Sequence, residues 1–116
     1  MALLHPHHDA LNALRGIRTL GVRIERQNNS ALTVAHMLQQ HSTVTAVHHP
    51  FLETHPQHDL ARSQMRCGGS VLSFELKNGI EACRTFVERL QLTHIATSFG
   101  GPETLVCHPA TSTHVD

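Results

Sequence analysis

The apolar positions of this chain change their period from one stretch to the next. Leu11, Leu14, Ile17, Gly21 and Ile24 recur at three- and four-residue steps, which is the spacing of one helix face. Asp9 precedes this run and reads as its N-cap, while Arg15, Arg18, Arg23 and Arg26 fall mostly elsewhere on the wheel. Asn28-Asn29-Ser30 predicts a kink, after which Ala31, Leu32, Ala35 and Leu38 carry a second stripe to about His41. Residues 1–8 hold little periodicity and read as a connector. The period then shortens. Val44–His48 is rich in β-branched and apolar residues and predicts a strand. Residues 49–56 form a loop with a proline near each end, and 57–65 a short helix with Leu60, Ala61 and Met65 inside. Cys67-Gly68-Gly69 breaks it. Over 71–77, Leu72, Phe74 and Leu76 alternate with Ser73, Glu75 and Lys77, the clearest strand in the chain.

Asn78-Gly79 turns into a helix whose apolar face is Ile80, Cys83, Phe86, Val87 and Leu90. A strand at 95–98 follows, so 71–98 is a strand–helix–strand unit, right-handed if its strands lie parallel. This order predicts an α/β chain with a small sheet and helices on one face. Phe99-Gly100-Gly101-Pro102 makes a turn, and Thr104-Leu105-Val106-Cys107 a further apolar run closed by His108-Pro109. Ser98 therefore stands at a strand end beside glycines with unobstructed N–H groups, a seat for a carboxylate or phosphate; an ordinary strand–turn–strand has the same local pattern.

Composition narrows the function. A chain of 116 residues is one domain or part of one. Nine basic and nine acidic side chains cancel, and there is no Trp or Tyr. That leaves no cationic surplus for phosphates and little to stack on bases, which argues against nucleic-acid binding. The apolar runs are far too short to cross a membrane and the N-terminus lacks a signal-peptide pattern, so no membrane is involved and a cytoplasmic location is expected. Cys67, Cys83 and Cys107 are odd in number and widely spaced, fitting neither a disulfide framework nor a zinc site. The 12 histidines raise metal binding. His55 and His58 have HxxH spacing, yet Pro56 lies between them and no carboxylate completes a metalloprotease-like pattern, which favours scattered solvated histidines.

Leu14-Arg15-Gly16-Ile17-Arg18-Thr19-Leu20 followed by Arg23-Ile24-Glu25-Arg26-Gln27 resembles the long helix of the pyridoxal-phosphate (PLP) enzymes of cysteine and methionine metabolism. That family holds the cystathionine γ-synthases, cystathionine γ-lyases, methionine γ-lyases and homoserine-ester sulfhydrylases. Pro50-Phe51-Leu52-Glu53-Thr54-His55-Pro56-Gln57-His58-Asp59-Leu60-Ala61, running on to Gln64-Met65, is similar to its YPGLxSHPQHxLA..QM segment. Ser73-Phe74-Glu75-Leu76, Ser98-Phe99-Gly100-Gly101, His108-Pro109-Ala110 and Thr113-His114 complete the match in order. The resemblance covers almost the whole chain. It implies the C-terminal small domain of an aspartate-aminotransferase-like PLP enzyme: residues 1–41 as connector and long kinked helix leading from a large domain, and 42–116 as an α/β domain incomplete at its C-terminus.

The same resemblance implies that Ser98 helps hold the substrate α-carboxylate and that Thr97 is a pocket position that differs among subfamilies. It implies a sulfur amino acid or a homoserine ester as substrate, PLP as cofactor of the full-length enzyme, and a homotetramer or dimer. The Schiff-base lysine, the partner of the pyridine nitrogen, the ring-stacking aromatic and the phosphate cradle are expected upstream. Lys77 is the sole lysine and lies at a strand end, outside the family's SxTK-like setting. The chain also ends before the family's C-terminal arginine motif, and Cys67, Gly68 and Ser70 alter the usual glycine-rich run. No residue here is thus assigned to catalysis, cofactor or metal, and the isolated chain is expected to be inactive. The alternative is a non-catalytic, His-rich metal-binding or interaction module on a degenerate transferase domain.

Overall fold

Two successive helices lead the chain. In the computed structural model, which describes residues 6–112, α1 spans Pro6–Arg18 and α2 spans Leu20–Gln39. Asp9 lies within the first turn of α1 instead of capping it. The break falls at Thr19 (φ −103°, ψ 0°), not at Asn28-Asn29-Ser30. Asn28 stays helical because its Nδ2 folds back on the Ile24 carbonyl at 2.6 Å, so the amide finds its acceptor without leaving the helix. Thr19 instead turns its hydroxyl to the Gly16 carbonyl (3.4 Å) while its own carbonyl accepts the Arg23 N–H (3.1 Å). One helix ends there and the next begins.

The strands divide into two pairs. β1 (Val44–His48) runs antiparallel to β2 (Ser73–Leu76), with Val47 opposite Phe74 and His48 opposite Ser73. The register shifts between Val44 and Ala46, and there the Thr45 hydroxyl bonds the Glu75 carbonyl (3.3 Å). Between them lies α3 (His58–Gln64). The alternation of β2 holds: Leu72, Phe74 and Leu76 are half-buried, while Ser73, Glu75 and Lys77 are exposed. Asn78 enters the left-handed region (φ 72°) to start α4 (Gly79–Arg89), which packs on β2 through an edge-to-face contact of Phe86 with Phe74 at 5.4 Å.

β3 (His94–Ile95) does not join β2. It pairs in parallel with β4 (Leu105–Val106), and a short helix α5 (Pro109–Ser112) follows. The expected strand–helix–strand crossover over 71–98 is therefore absent: β2 pairs back with β1 across the segment that holds α3, and β3 pairs onward with β4. Strands of two residues also explain the connection over 96–104, shorter than the dozen or so residues that parallel pairs usually need. The chain has little length to retrace. Residues 1–5 of the connector, and Thr113-His114, lie outside the described residues; positions 6–8 already belong to α1.

The core is thin. Among the described residues the buried apolar side chains are Ala31, Ala35, Leu52 and Ala61. The face carrying Leu11, Leu14, Ile17 and Ile24 has the predicted spacing but is uncovered, Ile17 being 65% exposed. The chain exposes 9456 Å², whereas a compact monomer of 12.8 kDa exposes about 6,300 Å². Its radius of gyration is 17.1 Å, against about 13 Å for a compact domain of this length.

The best-packed spot is where the loop after β1 meets Gly68. His49 is 1% exposed; its Nδ1 accepts the Phe51 N–H (3.2 Å) and its Nε2 faces the Gly69 carbonyl (3.2 Å). A Cβ on Gly68 would overlap the His49 ring and stand 3.0 Å from Phe51 Cβ. Gly68→Ala should cost about 1–3 kcal/mol through overpacking, read as a lowered urea midpoint, whereas Gly16→Ala, with open space around it, should be neutral or stabilising. Equal midpoints for the two variants would contradict this packing.

Candidate functional site

Ser98 and Thr97 lie beyond β3, both exposed, at the entry to the glycine turn. The strand ends earlier than expected: after the Ala96 N–H to Val106 carbonyl bond (3.2 Å) the chain leaves the ladder. Of the two glycines, only Gly100 takes positive φ (78°). Phe99 is 83% exposed and reaches into no core.

What fixes this turn is α2. Arg23 Nη1 donates to the Gly100 carbonyl at 2.6 Å, and Gln27 Nε2 donates to the Gly101 carbonyl at 2.8 Å. The same guanidinium reaches back through Nη2 to the Gly16 carbonyl (3.0 Å) and through Nε to the Thr19 hydroxyl (3.3 Å). Gly16 lies in the last turn of α1, where carbonyls lack helical partners and carry the negative end of the helix dipole. A guanidinium is the side chain with a fork of donors wide enough to serve all three acceptors. Arg23 is half-buried and makes no ion pair among the described residues.

Reading the sequence by its apolar stripe missed this role. Thr19, Arg23 and Gln27 stand at four-residue steps and so share one helix face. That polar ladder was the available signal, though nothing local says that a turn some 75 residues on supplies its acceptors.

Lys77 stands elsewhere. Its Nζ donates to the Ser42 carbonyl at 2.6 Å, and it lines an open groove of 650 Å³ with Asn78, Glu81, Phe86 and Arg89. Ser98 and Thr97 do not line that groove. The histidines do not gather either: among the described residues no three His, Cys, Asp or Glu side chains stand close enough to hold a metal ion. Several instead cap backbone. Nδ1 of His41, His49 and His55 each accepts the N–H two residues on, at 3.3, 3.2 and 3.2 Å. All three cysteines are free; Cys83 is half-buried on α4 while Cys67 and Cys107 are exposed.

Comparison with known proteins agrees with this architecture. Residues 2–116 match the family described as Cys/Met metabolism PLP-dependent enzyme. The chain is 43% identical over 113 residues to an L-methionine γ-lyase of Fusobacterium nucleatum subsp. polymorphum, covering 97% of this chain and 28% of that enzyme. It is 42% identical over 103 residues to the chloroplastic cystathionine γ-synthase 1 of Arabidopsis thaliana, covering 89% of this chain and 18% of that protein. The crystal structure of cystathionine γ-synthase from Xanthomonas oryzae pv. oryzae in complex with aminoacrylate and cysteine superposes with a TM-score of 0.83 at 44% identity, over 87% of this chain and 26% of that one. The α/β arrangement is thus that of the small domain of an aspartate-aminotransferase-like PLP enzyme. The chain belongs to the Cys/Met-metabolism PLP-dependent enzyme family, whose members work in sulfur amino-acid metabolism, and it spans about a quarter of the length of the relatives it matches. The reading as a His-rich metal-binding module finds no support in these comparisons.

The residues present do not fit the cofactor. Imine formation needs a lysine amine set beside the bound ring, and the sole lysine is tied to Ser42 in a groove that Ser98 and Thr97 do not line. No helix among the described residues is long and apolar enough to cross a membrane. Because Phe99 projects from the turn without covering anything, Phe99→Ser should change the unfolding free energy by no more than about 0.5 kcal/mol. A larger loss in chemical denaturation would mean that the ring is packed against something.

Proposed function

We propose that this chain is the substrate-carboxylate side of a PLP-dependent transsulfuration enzyme, of the cystathionine γ-synthase or γ-lyase type, acting on C–S bonds of sulfur amino acids or homoserine esters. The observation that carries the reading is Ser98: an exposed hydroxyl directly ahead of a glycine turn whose next two carbonyls are held by a helix. A hydroxyl so placed donates to a carboxylate oxygen without first having to be ordered. Thr97, its neighbour, borders the same position and shapes what side chain fits beside it.

In this reading residues 1–41 connect to a large domain that supplies the lysine and the cofactor cradle, and 42–116 form the small domain. The uncovered apolar face of α1 and the excess exposed area support such a missing partner surface. The whole enzyme is a cytoplasmic homotetramer or dimer using PLP. This chain alone neither holds the cofactor nor turns over substrate; it binds and orients.

The test is a titration of the ¹⁵N-labelled chain with L-methionine, followed at each backbone amide. Saturable shifts should centre on Thr97, Ser98 and Phe99; Ser98→Ala should weaken them by about tenfold or more, and L-methioninamide, lacking the carboxylate, should not produce them. Shifts scattered over the surface, or unchanged in Ser98→Ala, would refute the assignment. Incubation with PLP provides an independent check, in which no lyase activity should appear.

A further inference from the structure

We infer that Arg23 is a positioning residue for Ser98: it fixes the glycine turn against the junction of α1 and α2, so that the geometry of the candidate carboxylate site is set by a helix break far away in sequence. The inference rests on the proposed role of Ser98 and adds to it the group that holds Ser98 in place. Its basis is the set of acceptors gathered on one side chain. Gly16 and Thr19 belong to the helix junction and Gly100 to the turn, and one guanidinium bridges them at 3.0, 3.3 and 2.6 Å.

Three features make this more than a surface contact. The planar fork binds all three acceptors at once, so the turn cannot shift relative to the junction without breaking charge-assisted bonds. Gln27, one helical turn further along, grips the next carbonyl at 2.8 Å, so two consecutive peptides of the turn are tethered to a single face. The β3–β4 ladder does not extend to the turn: it ends at Ala96, and Ser98 and Phe99 are exposed. The guanidinium also has no carboxylate partner among the described residues. The carboxylate that the structure sets at the turn is that of Glu103, whose Oε2 lies beside Gly101, so the part assigned to Arg23 is to hold the backbone of the turn.

A lysine at position 23 would keep the charge but reach one acceptor, and a methionine would keep the bulk and lose both. The experiment uses the ¹⁵N-labelled chain as wild type, Arg23→Lys, Arg23→Met and Gln27→Met. Backbone order parameters of Ser98, Gly100 and Gly101 should fall from about 0.85 to below about 0.6 in Arg23→Met, with Arg23→Lys between and Gln27→Met showing a smaller loss. Amides of β1, β2 and α4 should keep their wild-type values, which separates a loosened turn from a disturbed fold. The L-methionine shift at Ser98 should be lost in Arg23→Met and partly recovered in Arg23→Lys, a pattern that bulk packing alone does not produce.

Unchanged order parameters in both Arg23→Met and Gln27→Met would overturn the inference, as would a wild-type methionine response retained in full by Arg23→Met. Should Arg23→Met unfold, Gln27→Met decides: loss of order confined to the turn supports the tether, and no loss refutes it. A turn that loosens as expected in a chain whose Ser98 ignores methionine even as wild type would uphold the positioning role and discard the carboxylate reading instead.

Discussion

One side chain carries an unusual share of this structure's order. The Arg23 guanidinium satisfies a carbonyl at the end of α1, the hydroxyl that turns the chain into α2, and a carbonyl of the glycine turn after Ser98. These acceptors differ in origin but share a need. A helix C-terminus leaves carbonyls unpaired, and a turn that leaves a parallel ladder after one further bond does the same. A single cation with several donors resolves both at once and links them. The break at Thr19 and the conformation at Gly100 are therefore two ends of one arrangement, not separate local events. Charge-assisted bonds of this kind are worth about 1.5–3 kcal/mol each, which is large against the small hydrophobic contribution available here.

That contribution is small because the chain buries so little. Ala31, Ala35 and Ala61 have short side chains, and among the described residues Leu52 is the one large apolar group wholly enclosed. Meanwhile Leu11, Leu14, Ile17 and Val22 face outward, as do Ile95 and Phe99. A chain with alternation and helical spacing this regular, yet with its stripes open, has the surface of a domain designed to be covered. The chain spans about a quarter of the length of the enzymes it matches. Local patterns are regular, while several apolar stripes stay open among the described residues.

This explains which parts of the fold were legible in the sequence. β2 was clear, since Leu72, Phe74 and Leu76 repeat every second residue and really do point to one side. So was α4, whose face meets β2 through Phe86. The helix break was misplaced because a run of Asn and Ser reads as a stop, whereas Asn28 could bond back to Ile24 and remain in the helix. The pairing of β3 was hidden for a different reason. Two-residue strands carry almost no periodicity, and whether His94–Ile95 meets β2 or Leu105–Val106 depends on where the loop is held. The hydroxyls at Thr97 and Ser98 could be picked out as candidates, but Arg23 and Gln27, which hold the turn beside them, belong to a contact across the chain that no local pattern encodes.

The histidines make the same point about composition. Twelve in one short chain suggest metal chemistry, yet at His41, His49 and His55 the ring nitrogen nearest the backbone accepts an N–H two residues on. An imidazole in that position does what Asn or Asp does in a turn: it gives an otherwise unpaired donor a local acceptor. Such a nitrogen, already holding a proton donor, has no lone pair left for a metal unless the turn opens. At His49 the second nitrogen faces the Gly69 carbonyl and the ring is enclosed, so the residue joins the loop after β1 to the glycine run after α3. At these three positions the chemistry open to the ring is limited by the bond its Nδ1 already makes.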